Sequence, residues 1–510
     1  MKVVFRGVPV RLPLRSALAM VLLIAGATGR PGARAAGDTD WRPAALSALL
    51  RMPHDWDAET AAQATPPVIP GLSMDQDPAG LIGSLNAGGS TLTADSPFFL
   101  NLGSNGRTCF SCHQPQTGWG MSAASVKQTF SDTDGMAPIF RPVDGAVCPT
   151  ADTSTLAARR AAYRLLVSKG LIRIGLPVPD AAQFSITAVK DPYGCNTDPA
   201  TGLTGPASGI VSVYRRPLPS TNLGFLNAIM WDGREPTLQS QAVDATTGHA
   251  QGTTALSPAQ IADIVSFESG LLTGQSQIKH VGSLSADLAT GGPNGLKDTL
   301  ATFFPGINDP LGGNPKGIPF TSQIFNLYQA WAGAANDGRA AIQRGEAVFN
   351  TKPIAITGVS GINDTLGVQT LNGFCGTCHD SPNVGNHSVK LPLNIGVGNA
   401  GPFNATTGTG AVPVLDIADL PVFTVTCNSG PHQGTVYTVT DLGRAMISGA
   451  CADVGKVKGP ILRGLASRAP YFHNGAARSL DDVVTFYDQR FGIHFTDEEK
   501  SDLVAFLNAL

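Results

Sequence analysis

Charge is what this sequence has little of: 14% of its 510 residues are charged. Such a composition lacks the polar bias of long disorder. No basic patch with interleaved aromatics is present, which removes nucleic acid from the candidate partners. Beyond the N-terminal region no stretch is apolar enough for a transmembrane helix. Histidine is also sparse, with none between His113 and His249. What is abundant is Gly (59) and Pro (37), a composition that suits a loop-rich protein whose interior is partly filled by cofactors. The length is enough for two or three domains with their own cores.

The N-terminus reads as an export signal. Lys2, Arg6, Arg11 and Arg15 precede an apolar run from Ala17 to Ala27, and Ala33-Arg34-Ala35 offers small residues for cleavage. The run is short for a membrane span. Cleavage after Ala35 removes six basic residues and no acidic one, leaving an acidic mature chain that favours a basic electron donor.

Against this background one pattern stands out and recurs: Cys109-Phe110-Ser111-Cys112-His113 and Cys375-Gly376-Thr377-Cys378-His379. Two cysteines three positions apart can each form a thioether to a haem vinyl group, and the following histidine can ligate the iron. A redox Cys-x-x-Cys or half a zinc site explains a repeated trailing histidine in an exported chain poorly. The reading is two covalently bound c-type haems. The other four cysteines allow three pairings; sequence order favours Cys148–Cys195 with Cys427–Cys451, and free buried thiols are the alternative.

Apolar spacing predicts helices over Thr155–Lys169, Ser257–Phe267, Gln323–Ala334 and Asp337–Val348. Thr496-Asp497-Glu498-Glu499 is a capping box opening a terminal helix with an apolar face. Gly358–Gly430 reads mostly as loop. The expected organisation is a signal peptide (1–35), an irregular lead-in (36–96), an N-terminal haem domain (97–335) with an insertion at about 121–213, and a C-terminal cytochrome c-like haem domain (336–510). The expected fold class is mainly α, two cytochrome c-like haem domains with long loops and an insertion in the first.

Three stretches resemble the bacterial di-haem cytochrome c peroxidase family, which includes the MauG enzyme: the two haem motifs, Trp231-Asp232-Gly233-Arg234 through Gln241, and Leu462 to Tyr487. The resemblance implies a peroxide site at the N-terminal haem and electron entry at the C-terminal haem. It makes Trp231 the tryptophan between the haems and Gln241 a glutamine of the peroxide pocket. Ten residues past that glutamine the family carries an acid-base glutamate; here the position is Gln251, which cannot shuttle a proton. His249 is close by and can, so it is the expected replacement.

The sixth ligand of the second haem is methionine in ordinary peroxidases and tyrosine in the MauG type, and that position is Tyr487. A phenolate stabilises higher oxidation states where a thioether raises the potential. Met446 is the alternative ligand. His473 matches a structural histidine. Resting peroxidases block the peroxide haem with a loop histidine soon after the first motif; none is available here, Met121 or Met136 could stand in, and an open iron is the expected state. A calcium ion is implied between the domains, with Asn222 and the carbonyls of the Arg468-Ala469-Pro470 turn as candidates.

These readings converge on a periplasmic di-haem peroxidase that takes hydrogen peroxide and electrons from a small cytochrome c or cupredoxin, with a homodimer as a further expectation. The alternatives are MauG-like or rubber-oxygenase-like oxidation of an organic or protein substrate, and an electron carrier without catalysis.

Overall fold

The computed structural model describes residues 65–197 and 209–510. The expected export signal, Trp41 and Trp56 lie outside them, as does most of the lead-in.

The described end of the lead-in is not irregular. Leu72–Gln76 (β1) and Gly80–Asn86 (β2) form an antiparallel hairpin, and β2 pairs with a strand almost 190 residues later. The 121–213 segment holds a helix Ala123–Thr133 (α1) and the expected helical run, which Tyr163 breaks into Leu156–Ala162 (α2) and Arg164–Lys169 (α3). It also holds three strands: Ile172–Pro177 (β3), Phe184–Lys190 (β4) and Ile210–Arg215 (β5), with β3 against β5. Next come Leu238–Gly248 (α4) and Pro258–Gly270 (α5), each opened by a capping box, at Thr237 and Ser257. Leu271–Ile278 (β6) is the partner of β2, and Asn294–Thr302 (α6) follows.

Gln323–Ala334 is not helical beyond one turn at Gln329–Trp331. Buried side chains supply the acceptors a helix would otherwise provide: Asn350 Oδ1 takes the amides of Ile324 and Phe325, and Glu346 that of Leu327 at 2.5 Å. Both acceptors stand on Asp337–Thr351 (α7). The pair Ile354–Thr357 (β7) and Thr370–Gly373 (β8) follows, then Val422–Cys427 (β9) and Val436–Val439 (β10). The chain closes with Leu480–Phe491 (α8) and Asp497–Asn508 (α9). Helix outweighs strand, 29% against 17%, so strand is a larger share than a mainly α chain implies.

Two features decide how these parts hold together. Helix α7 packs along α9 so closely that a Cβ on Gly345 would run into the backbone of Asp502, while Arg344 grips the Asp502 carboxylate with two hydrogen bonds of 2.6 and 2.8 Å. Phe325, Phe349 and Phe506 fill the seam, and truncating such a buried ring costs about 3–5 kcal/mol. The capping box at Thr496 is formed in both directions, Glu499 N to Thr496 Oγ1 at 3.1 Å and Thr496 N to Glu499 Oε2 at 2.9 Å.

The second feature is a sheet of order β10-β9-β4, which runs the 121–213 segment antiparallel to the C-terminal half, from Phe184↔Cys427 to Lys190↔Val422. Cys148 and Cys195 lie with Cα atoms 5.4 Å apart, and Cys427 and Cys451 5.9 Å apart, within reach of disulfides. Non-reducing peptide mapping is expected to find these two pairs. Cys451→Ser is expected to lower stability by about 3 kcal/mol in denaturant titrations run without reductant, and by far less with it.

Candidate functional site

Each Cys-x-x-Cys-His motif folds as a single tight turn. In the first, the amides of Cys112 and His113 both return to Cys109 O at 3.2 and 3.1 Å; in the second, those of Cys378 and His379 return to Cys375 O at the same two distances. A hydroxyl three residues on caps each turn, Ser111 Oγ for Thr108 N and Thr377 Oγ1 for Phe374 N. The histidines are then anchored alike. His113 Nδ1 donates to Trp119 O at 2.9 Å and His379 Nδ1 to Gly385 O at 2.7 Å, each six residues on. A carbonyl only accepts, so Nδ1 carries the proton and Nε2 is left as the metal-facing nitrogen. Burial pushes both imidazoles down to about 4, with the carbonyl bond opposing, so both are neutral near pH 7. Trp119 holds its carbonyl in place from a left-handed backbone (φ 55), with its ring packed against Phe98, Phe110 and Phe267 and its Nε1 on Ser84 Oγ.

A cavity of about 240 Å³ brings Cys109, Cys112 and His113 together with Trp231, Gln241 and His249. Gln241 lies on α4 and His249 caps its C-terminus, with His249 N on Ala245 O at 2.9 Å. Gln251 is not on this wall. Its backbone turns left-handed (φ 55) and its Oε1 accepts from Asn105 at the surface. His249 Nδ1 stands 2.5 Å from Asp144 Oδ2, and Asp144 Oδ1 stands 2.5 Å from an Arg107 nitrogen. Burial raises the Asp144 carboxyl, but Arg107 and His249 outweigh it and hold the group below the usual carboxylate range.

The same wall carries cations without carboxylate partners. The buried Lys458 side chain makes no hydrogen bond or ion pair among the described residues, and burial pushes its ammonium down to about 7. Arg216 spends its guanidinium on the carbonyls of Lys169, Met121 and Arg468. Paired thiols, a histidine with one nitrogen free and unneutralised buried cations fit a covalently held haem, whose propionates would bring the missing negative charge.

Trp231 is half-buried, its Nε1 on Arg216 O at 2.7 Å and its ring 6.0 Å from that of His473. Its carbonyl accepts from Lys458 N at 2.8 Å, and the next residue, Gly459, lies against the backbone of Cys378. Trp231 thus lines the cavity and is joined, through Lys458 N, to the run that passes Cys378. Below it Arg215 bridges two buried carboxylates, Asp232 at 2.5 Å and Asp441 at 2.6 Å, with Arg234 also on Asp232.

Tyr487, on α8, packs in the cluster that contains Cys375 and Cys378, and its phenol is pushed up by burial and by those two thiols. Met446 packs elsewhere, with Phe184, Val425 and Cys451, which removes it as a ligand near the second motif. Met121 lines the first cavity, whereas Met136 is exposed on the surface. The calcium expectation finds no support. Asn222 spends both ends of its amide on the Thr273 backbone, at 2.8 and 3.0 Å, Arg468 O accepts from Arg216, and the guanidiniums of Arg216 and Arg468 put positive charge where a cation was expected; Pro470 lines the haem cavity instead. Among the described residues no group of acidic, histidine or cysteine side chains is arranged to hold a metal ion.

Arg107, Asp144, Arg216, Lys458 and buried Glu268 line the cavity without having been singled out as site residues in the sequence. Arg107 stands two residues before the first motif and Lys458 four before the Leu462 to Tyr487 stretch, which were usable signals; Asp144 had none, since its partner is 105 residues away.

No family model matches the chain. Cytochrome-c peroxidase IdrP2 of Denitromonas iodatirespirans is 46% identical over 78 residues, 14% of this chain and 21% of that protein. Cytochrome-c peroxidase IdrP1 of Pseudomonas sp. (strain SCT) is 38% identical over 81 residues, again 14% and 21%. IdrP2 of the same Pseudomonas is 30% identical over 149 residues, 27% and 35%. The chain thus spans about a fifth to a third of the length of these relatives. A solved MauG-like protein associated with microbial copper homeostasis is 16% identical, covering 60% of this chain and 75% of that one at a TM-score of 0.30, too low to establish a shared fold. Two Cys-x-x-Cys-His motifs and a cavity at one of them fit covalent haem attachment. Over these segments the chain is similar to cytochrome-c peroxidases.

His473 yields a test of the buried frame. It is 2% exposed, its Nε2 lacks a hydrogen bond, and burial pushes it down to about 4, with Asp441 3.7 Å away opposing. Unfolding returns it to its ordinary 6.5, so between those values the unfolded chain holds the extra proton and stability falls as the pH is lowered. The contribution is on the order of 3 kcal/mol. Unfolding free energies from denaturant titrations at pH 7 and pH 4 are expected to differ by about 3 kcal/mol less in His473→Gln than in wild type.

Proposed function

We propose that the chain is a periplasmic di-haem peroxidase-like oxidoreductase that reduces hydrogen peroxide beside His113 with electrons arriving through the His379 side. The observation that carries this reading is the one cavity holding Cys109, Cys112 and His113 together with Gln241, His249 and Trp231. Two bound haems would supply the redox chemistry, H2O2 + 2H⁺ + 2e⁻ giving two waters. The residues supply the rest. Gln241 offers an amide that can hydrogen-bond a peroxide oxygen and orient it. His249, with its Nδ1 proton given to Asp144, has Nε2 available as base: it takes a proton from peroxide and returns it to the departing oxygen, which leaves as water. Trp231, on the cavity wall with its indole proton held by a carbonyl, is the aromatic we assign to carry electrons between the two sites. Cys375, Cys378, His379 and Tyr487 frame the second haem. A small cytochrome c or cupredoxin is the proposed donor.

A second reading has an observation of its own. Tyr487 beside Cys375 and Cys378 and Gln251 turned to the surface both depart from an ordinary peroxidase, and favour MauG-like oxidation of an organic or protein substrate.

Low-temperature EPR of the ferric protein, before and after one equivalent of peroxide, separates these from a carrier. A high-spin signal beside a low-spin one, both altered by peroxide, is expected; two low-spin signals indifferent to peroxide would sink the enzymatic readings. His249→Ala is expected to lower peroxide kcat/KM by roughly 10²–10⁴. Tyr487→Phe is expected to change the low-spin signal, and an unchanged signal means another ligand.

A further inference from the structure

We propose that Asp144 and Arg107 are positioning residues that fix the ring of His249 with Nε2 toward the cavity, and that holding this carboxylate in place is one task of the 121–213 segment. The inference rests on the reading of His249 as the proton-transfer group.

The geometry is that of an oriented base. An ionised carboxylate only accepts, so the 2.5 Å contact from His249 Nδ1 to Asp144 Oδ2 puts a proton on Nδ1 and makes Nε2 the nitrogen that exchanges a proton in the cavity. The other Asp144 oxygen is held by Arg107, whose remaining donors are spent on Pro138 O at 2.9 Å, Ile139 O at 2.6 Å and the carbonyl of His249 itself at 3.2 Å. The same pair thus grips both ends of His249. Asp144 is 5% exposed while the His249 side chain is about a third exposed, so the carboxylate is buried at the cavity wall rather than lying on the surface. Its backbone is pinned in turn: Arg173, on β3, donates its amide to Asp144 O at 2.7 Å and its guanidinium to Val143 O at 3.1 Å. Asp144 and β3 both belong to the 121–213 segment. Arg107 comes from the approach to the first haem motif, so the motif, the segment and α4 meet at one imidazole.

The ligand class is a small neutral acid that must lose its proton to bind or react, hydrogen peroxide or hydrogen cyanide. In each case the H–O or H–C bond breaks, its electron pair stays on the ligand and the proton passes to His249 Nε2; with peroxide it is then returned to the departing oxygen. No oxidant beyond peroxide and no reductant beyond the electron donor is needed.

The test uses the haem-loaded protein and two readouts, the optical rate of cyanide association with the ferric form and steady-state peroxide kinetics. Asp144→Asn is expected to slow cyanide association and lower peroxide kcat by about 10- to 100-fold with KM little changed, and Asp144→Glu to recover part of the loss. In a His249→Ala background Asp144→Asn should have no further effect. Should Asp144→Asn not fold, Arg107→Gln carries the test, with a slower cyanide rate expected. Wild-type rates in these variants while His249→Ala is slow would overturn the positioning role and leave the base intact. Wild-type rates in His249→Ala itself would overturn the underlying reading.

Discussion

A hydrogen bond made twice governs both candidate haem sites: an imidazole Nδ1 proton given to a backbone carbonyl six residues on. It selects the tautomer, sets the ring plane and leaves one nitrogen for iron, and it can do so only if the carbonyl is rigid. The fold spends local structure on that rigidity. Trp119 adopts a left-handed backbone inside an aromatic cluster, and Gly385 reaches a positive φ of 79° where Leu462 and Phe325 leave no room for a side chain. The aromatic packing around the first motif is therefore part of the ligand geometry.

Electrostatics divides the region below the cavity into two kinds of buried charge. Arg215, Asp232, Arg234 and Asp441 satisfy one another, two cations against two anions, and so form a closed structural unit under Trp231. Lys458 and Arg216 are different, since no carboxylate pairs with them among the described residues. A folded chain keeps buried cations of that kind at a cost, and a carboxylate-bearing cofactor offsets it. This contrast separates residues that hold the frame from residues that wait for a ligand.

Chemistry with a fixed local spacing was legible in the sequence: the two haem motifs and the capping box at Thr496; Tyr487 was placed near the second motif only by what the family resemblance implies. What depends on distant partners was not. Gln323–Ala334 has helical apolar spacing, but Glu346 and Asn350 outbid the helix for its amides. The lead-in lacks a strand signature of its own because β2 becomes a strand against β6, with Leu85 opposite Leu272. Asp144 sits among Gly, Pro and Asp punctuation that reads as surface loop; only the folded chain brings it to His249. Asn222 matched a ligand position, yet its amide is already paired.

The β4–β9 pairing has a consequence for the order of events in the life of the chain. Lys190 meets Val422, 232 residues later, so the 121–213 segment emerges long before the strand that completes its sheet. The β4 edge stays unpaired until the second half of the chain has been made. Closing so distant a contact is slow, and an open edge invites the wrong neighbour in the meantime. A chain interrupted between Lys190 and Val422 is left with an unpaired strand edge.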